Sequence, residues 1–327
     1  MSIIDAEGLT REFVVYEGAG LRRKRRVVHA VEGLTLRVEA GEAVGYIGAN
    51  GSGKSTTIKM VSGILTPTSG SIHTCGLRPV PERRTLARRI GVVFGQRSAL
   101  WWDLPLEESF PILAAMHRMP RAAWRSRFDV LVDELELSSF LARPVRTLSL
   151  GQRMRGEVAA ALLHSPSLAV LDEPTIGLDM ISKENLRRFL ARERAERGTT
   201  LLLTTHDMGD VQRLCDRMVV IDGGRVAFDG TEAELVAATD AERILVVDLA
   251  EPVAGTLRLP DGAAVTATEA DGIRLSISFR PQRLSAAQVL AAVQAQAEVI
   301  ELSLAEPAIE DLVRRIYASG AASSGTD

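Results

Sequence analysis

Apolar positions recur along this chain in two rhythms. Residues 43–47, 90–94, 168–171 and 200–204 are short, almost wholly apolar runs, the length and composition of strands buried on both faces. Between them apolar residues return every three or four positions. Ile58, Val61, Ile64 and Leu65 do so until Thr66 and Pro67, then residues 106–118, 121–137, a stretch reaching about His164, and 182–197 with Gly198 as its stop. Strand-like runs alternating with amphipathic helices predict an α/β fold. Residues 9–16, 27–38 and 69–76 read as further strands ahead of that core, and residues 217–229 as a hairpin turning at Gly223 and Gly224. Thr231 and Glu234 make a capping box for a short helix. Beyond about Arg243 strands are expected at 244–247, 273–279 and 299–304, with helices at 286–297 and around Ile309, Leu312, Val313 and Ile316. The pattern divides the chain into a main domain, 1–236, with a helical subdomain at about 97–165, a small α/β appendage, 237–318, and a disordered tail, 319–327.

Composition narrows the class. At 327 residues with 25% charged and 46% hydrophobic residues, the chain has the makeup of an ordinary soluble globule. A formal net charge of -3 gives no general attraction to nucleic acid, and no nucleic-acid partner is expected. No apolar run approaches the roughly 18–20 residues that cross a bilayer, and the N-terminus carries no signal-peptide pattern, so the chain is not expected to span a membrane by itself. Cys75 and Cys215 lie far apart without neighbours at metal-ligand spacing; they read as packing residues in a reducing cytoplasm.

The candidate chemistry starts where the run at 43–47 ends. Gly48, Ala49, Asn50, Gly51, Ser52, Gly53, Lys54 and Ser55 fit G-x-x-x-x-G-K-[ST], followed by Thr56 in the first turn of a helix. Glycines let successive amides turn toward an anion, the helix N-terminus adds its dipole, Lys54 supplies a cation for outer phosphates, and Ser55 a hydroxyl for Mg²⁺. Gln96, Glu173 and His206 each follow a buried strand, the edge at which open α/β sheets hold ligands. Asp172 and Glu173 are adjacent carboxylates that need a cation or polar partners there, which makes Asp172 a candidate Mg²⁺ partner and Glu173 a candidate base for water. Phe13 or Tyr16 could stack on an adenine, or fill the sheet edge. Arg22, Arg23, Lys24, Arg25 and Arg26 read as the tip of a hairpin or loop, merely solvated, touching anionic lipid headgroups beside a membrane partner, or touching nucleic acid. Trp101 and Trp102 read as a cap on the helical subdomain's core or an exposed partner anchor.

Taken together these stretches resemble the ATP-binding subunit of a bacterial ABC transporter. Gly48 to Ser55 matches its Walker A loop, Gln96 the Q-loop, residues 148–152 the signature, residues 168–173 Walker B, residues 177–179 the D-loop and His206 the switch histidine. Six motifs in family order are far more specific than any one. The usual signature reads Leu-Ser-Gly-Gly-Gln, and Leu150 stands at its third position. Residues 94–97, 100–105, 148–155 and 172–179, with the appendage, are similar to ATPases of ABC-2-type exporters, a group that includes drug-resistance and sodium-efflux ATPases.

The resemblance implies an ABC-type P-loop NTPase domain, a RecA-like core with antiparallel β and α-helical subdomains, that binds and hydrolyses ATP with Mg²⁺. It implies that Gln96 joins Ser55 and Asp172 at the metal, that Glu173 polarises water and that His206 holds the γ-phosphate. Two copies, or this chain and a paralogous ATPase, would close head to tail, so that Ser149, Gly151, Gln152 and Asp179 complete the partner's site. Transport, in the export direction, would run through ABC-2-type permease subunits, with the ATPase cytoplasmic and peripheral on the inner face of the membrane. A soluble ABC ATPase acting on ribosome or nucleic acid is the alternative; it resembles either two fused cassettes or a chain with a long heptad insertion, and neither feature is present. A P-loop kinase or GTPase leaves residues 148–152 and His206 unexplained.

Overall fold

The computed structural model describes residues 1–17, 24–95, 98–205, 207–239, 241–253, 255–305 and 309–323. It separates into two compact units, Met1–Gly230 and Thr231–Asp327. The division falls six residues before the one expected at 236, because the capped helix α8 (Glu232–Ala238) packs against α10 (Ile309–Ser323) of the second unit.

The first unit opens with two strands of 16 residues, β1 (Ser2–Glu17) and β2 (Lys24–Glu39), paired antiparallel. Of the two expected settings, hairpin tip or loop, the hairpin fits: Lys24, Arg25 and Arg26 open its second strand, Glu17, Tyr16 and Val15 pair with them in register, and alternation sends neighbouring cations to opposite faces. Arg22 and Arg23 lie outside the described residues. After β3 (Ala43–Gly48) and α1 (Lys54–Val61), β4 (Ser69–Thr74) pairs with β1 to complete a three-stranded antiparallel sheet in the order β2-β1-β4.

A short helix, α2 (Arg83–Leu86), leads to β5 (Ile90–Val93) and then to three helices, α3 (Leu106–Met116), α4 (Arg121–Glu134) and α5 (Leu150–Leu162). The chain returns through β6 (Leu168–Asp172), α6 (Met180–Arg197), β7 (Thr200–Thr204), α7 (Met208–Leu214), β8 (Arg217–Asp222) and β9 (Arg225–Gly230). The second sheet runs β5-β6-β7-β3-β8-β9, its first five strands parallel and β9 antiparallel to β8. Its central strands have no polar face: every residue of β3 and β7 is buried, as are 168–171 of β6, which is why they read as continuous apolar runs.

One core cluster joins the inner side of the sheet to the helical layer through Phe110, Phe140, Val158 and Phe189, and a second lies between the two sheets and α1, around Tyr46 and Ile58. The helical layer is also tied down by charge. Arg127 of α4 donates twice to the Glu193 carboxylate of α6, at 2.8 and 2.5 Å, with both side chains almost fully buried.

The second unit holds β10 (Arg243–Leu249), β11 (Ala263–Glu269), β12 (Arg274–Phe279), α9 (Ala286–Gln294), β13 (Val299–Ala305) and α10, with a four-stranded antiparallel sheet ordered β11-β12-β10-β13. Strand β11 was not expected, since Ala, Thr and Glu on an exposed edge leave no apolar alternation to detect. Helix α10 continues past Ser319, where the apolar spacing ends and a disordered tail was expected, to Ser323.

Candidate functional site

Strand β3 delivers Gly48 to the end of the parallel sheet, and the next five residues turn back into α1. Gly53 makes the last step at φ 105°, where an added Cβ would collide with the carbonyl oxygen of Ala30, so glycine is required on both counts. Lys54 folds over the loop, its ammonium donating to the carbonyls of Gly48 at 2.5 Å and Ala49 at 2.9 Å. The Ser52 hydroxyl is buried and has no hydrogen-bond partner. A cation held by backbone oxygens and a helix N-terminus thus converge on one spot, and a phosphate group would satisfy both.

Asp172 and Glu173 face this loop from the end of β6. Thr204 of β7, directly opposite Asp172 in the sheet, donates its hydroxyl to the Asp172 carboxylate. Glu173 leaves the strand with φ 52°, an uncommon conformation for a residue bearing a side chain, and its amide donates to the Thr204 carbonyl at 2.9 Å. Together with Asn50, Gly51, Gly53, Ser55 and Thr56, these two carboxylates and Lys54 line one cleft of about 550 Å³. Burial lowers the Lys54 pKa, opposed by the charges of Asp172 and Glu173.

The cleft's other walls are Ala30 of β2, Ile176, and Phe94 and Gly95, which follow β5. The next residue is Gln96, which with His206 lies outside the described residues. Phe13 lies under the Arg11 guanidinium at 4.7 Å, and Tyr16 is 62% exposed.

Ser149 caps α5, accepting from the Gln152 amide while Gln152 Oε1 accepts from the Ser149 amide. Asp179 caps α6, accepting from the amide and hydroxyl of Ser182 at 2.9 Å, bonds that hold its pKa below the usual carboxylate value. Ser149, Gly151, Gln152 and Asp179 are not among the described lining of the cleft. Instead the N-terminus of α5 packs on the loop before α6: a Cβ on Gly151 would stand 2.5 Å from the Gly177 carbonyl oxygen, and the Leu150 side chain covers the place where a Gly177 side chain would be. Gly151→Ala is accordingly expected to separate α5 from this loop and lower stability by about 1–3 kcal/mol, read as a fall in the urea midpoint at unchanged slope.

Sequence reasoning missed the residues that hold these loops. Asp210 is fully buried; it accepts from Thr175, two residues beyond Glu173, at 2.6 Å, from Thr205 at 3.0 Å and from Arg187 of α6 at 2.7 Å. It therefore joins the segments after β6 and β7 to one cation. Lys183 donates to Asp207 at 2.7 Å, the largest cause of that carboxylate's lowered pKa. Glu157 of α5 accepts from Ser98 and from the Ala99 amide, anchoring the chain just after Gln96, while burial pushes its pKa up. A carboxylate in an otherwise apolar stretch of α5 was the one visible signal.

A glycine loop between a parallel strand and a helix, with a carboxylate-tipped strand one place removed in the same sheet, defines a P-loop nucleoside triphosphatase. Comparison with known proteins narrows this further. The ABC transporter family model matches residues 31–176. The daunorubicin resistance ATP-binding protein DrrA3 of Streptomyces coeruleorubidus is 33% identical over 285 residues, covering 86% of this chain and 89% of its own. A Nod factor export ATP-binding protein I from Ralstonia nicotianae is 38% identical over 222 residues, 66% of this chain and 67% of its own. Among solved structures, a dimeric ATP-binding cassette in a post-hydrolysis state bound to ADP and Pi superposes with a TM-score of 0.62 at 25% identity, covering 70% of this chain and 98% of that one. The chain belongs to the family of ABC transporter ATP-binding subunits: it binds and hydrolyses ATP to power transport. Among the described residues no helix is long and apolar enough to cross a membrane.

Proposed function

We propose that this chain is the ATPase of an ABC-2-type exporter, peripheral on the inner face of the membrane, with its catalytic chemistry in residues 1–236 and an accessory unit beyond. The convergence of Lys54, Ser55, Asp172 and Glu173 on one cleft carries the reading of the site. The amides of residues 49–56 and the Lys54 ammonium bind the phosphates, and Phe13 or Tyr16 stacks on the adenine. Ser55, Asp172 and Gln96 would hold Mg²⁺. Two protein oxygens and an amide suit an ion that commonly takes its remaining ligands from phosphate and water, and the described residues form no free-standing metal cluster. Bound there, Mg²⁺ would supply positive charge against the phosphate oxygens.

Glu173 polarises the attacking water and accepts its proton, while Lys54 offsets the charge that develops on the γ-phosphate. His206 contacts that phosphate and registers its loss. Ser149, Gly151 and Gln152 face the γ-phosphate of a partner subunit's ATP, with Asp179 at the same interface, so ATP bridges two copies in head-to-tail order. Support for this arrangement comes from Ser149 and Asp179, which are exposed and lie outside their own chain's cleft, and from the dimeric relative. The names of the export and drug-resistance relatives favour export.

The test is light scattering of the purified Glu173→Gln chain with ATP, with and without Mg²⁺. A dimer that forms only with ATP is expected. A chain that binds ATP yet stays monomeric would refute the trans site for the isolated subunit and shift attention to Leu150. Co-purification with multi-helix membrane proteins encoded beside the gene would identify the permease.

A further inference from the structure

Two buried threonines converge on one carboxylate. Thr175, two residues past Glu173, and Thr205, directly after β7, both donate their hydroxyls to Oδ2 of Asp210, at 2.6 and 3.0 Å, while Oδ1 accepts from Nε of Arg187 at 2.7 Å. Thr175, Thr205 and Asp210 are each at most 4% exposed, so water does not stand in for a bond that is lost. Glu173 lies between these ties with φ 52°, a conformation that a residue with a side chain keeps only where its surroundings impose it. Its amide is bonded to the Thr204 carbonyl, and the Ile176 amide returns to the Glu173 carbonyl at 3.2 Å, closing a turn around Pro174 and Thr175. The turn is thus fastened to the body of the protein at Thr175.

The geometry points to Asp210 as a positioning residue for hydrolysis: by tethering Thr175 and Thr205 it imposes the backbone conformation of Glu173 and so aims the carboxylate that takes the proton from water. The inference rests on the reading of Glu173 as that base. Packing α6 on α7 does not need the threonines, because Arg187 and the bond from Lys183 to Asp207 already join these helices. The two hydroxyls add something else: they hold the segments after β6 and β7 to a single oxygen, so that neither segment shifts without the other. Once a tether is cut, Glu173 can relax from its positive φ, which turns its side chain away from the place where water is attacked. Asp172 stays where it is, since Thr204 holds it from the neighbouring strand. The glycine loop lies between β3 and α1 and has no bond to Asp210, so the loss falls on the hydrolytic step and spares nucleotide binding.

The experiment changes the threonines, because removing Asp210 would strand the Arg187 charge and mix loss of folding with loss of alignment. Steady-state and single-turnover hydrolysis by the full-length chain are measured for Thr175→Val, Thr205→Val, the two combined, Thr175→Ser and Glu173→Gln. Equilibrium ATP binding is measured beside them, at a temperature where thermal unfolding shows every chain folded. Each valine variant is expected to lower kcat about tenfold with KM and ATP affinity within about twofold of the parent. Thr175→Ser keeps the hydroxyl and is expected to turn over like the parent, a rescue that packing alone does not require. The double variant is expected to be about as slow as the slower single one, since both hydroxyls serve one alignment. Valine variants with the parent's kcat beside a slow Glu173→Gln chain would overturn this inference alone. So would a loss confined to KM, a serine variant as slow as the valine one, or a double variant whose loss is the product of the single losses. A Glu173→Gln chain that hydrolyses like its parent would overturn the reading of the base, and this inference with it.

Discussion

Glu173→Gln is expected to lower ATP hydrolysis about 10²- to 10⁴-fold while leaving ATP affinity nearly unchanged. The amide keeps the size and the hydrogen-bonding reach of the carboxylate but cannot accept a proton from water. Binding depends on other groups: Lys54 and the loop residues Asn50, Gly51, Gly53, Ser55 and Thr56 line the same cleft. The backbone at Glu173 is held by its own amide bond to Thr204, which the substitution does not touch. Single-turnover hydrolysis beside equilibrium binding of a fluorescent ATP analogue separates the two effects. A variant that hydrolyses within severalfold of the parent would remove Glu173 from the role of base, and one that loses binding as well would mean that the side chain helps to build the site.

Glu193→Ala is expected to destabilise the first unit by about 3–5 kcal/mol, because it strands the Arg127 guanidinium in a site that water barely reaches. The remaining partner of Arg127 is the Leu162 carbonyl at the end of α5, at 3.4 Å, too weak an interaction to compensate a full charge. The double variant Arg127→Met/Glu193→Leu fills similar volume without charge and should recover most of the loss. Urea unfolding of the three chains distinguishes this from a surface pair. If the single change costs under about 1 kcal/mol, the charges reach solvent after all.

The phosphate loop was legible in the sequence because its chemistry is local. Eight consecutive residues carry the amides, the cation and the hydroxyl, and the strand before and the helix after them announce themselves by apolar spacing. Asp172 and Glu173 were legible for a related reason, since two carboxylates closing an apolar run contradict the burial around them. Nothing comparable marked Asp210 or Arg187, whose partners are far apart in the chain. Arg25 and Arg26 were half legible: a run of like charges implies a loop or a hairpin tip without choosing between them, and cross-strand bonds to β1 make it the hairpin and hold them extended.

The sequence by itself determined most of the elements, their order and the identity of the nucleotide-binding loop, because periodicity, glycine geometry and helix capping act over a few residues. Only the tertiary structure decided which distant groups meet. The sheet order sets β6 and β7 side by side, so that Thr204 reaches Asp172; the packing of α4 on α6 buries Arg127 with Glu193; and Gly151 lies against Gly177 because two helix N-termini converge there. Contacts of this kind depend on the placement of whole strands and helices, which burial of the common core settles and no local stretch of residues encodes.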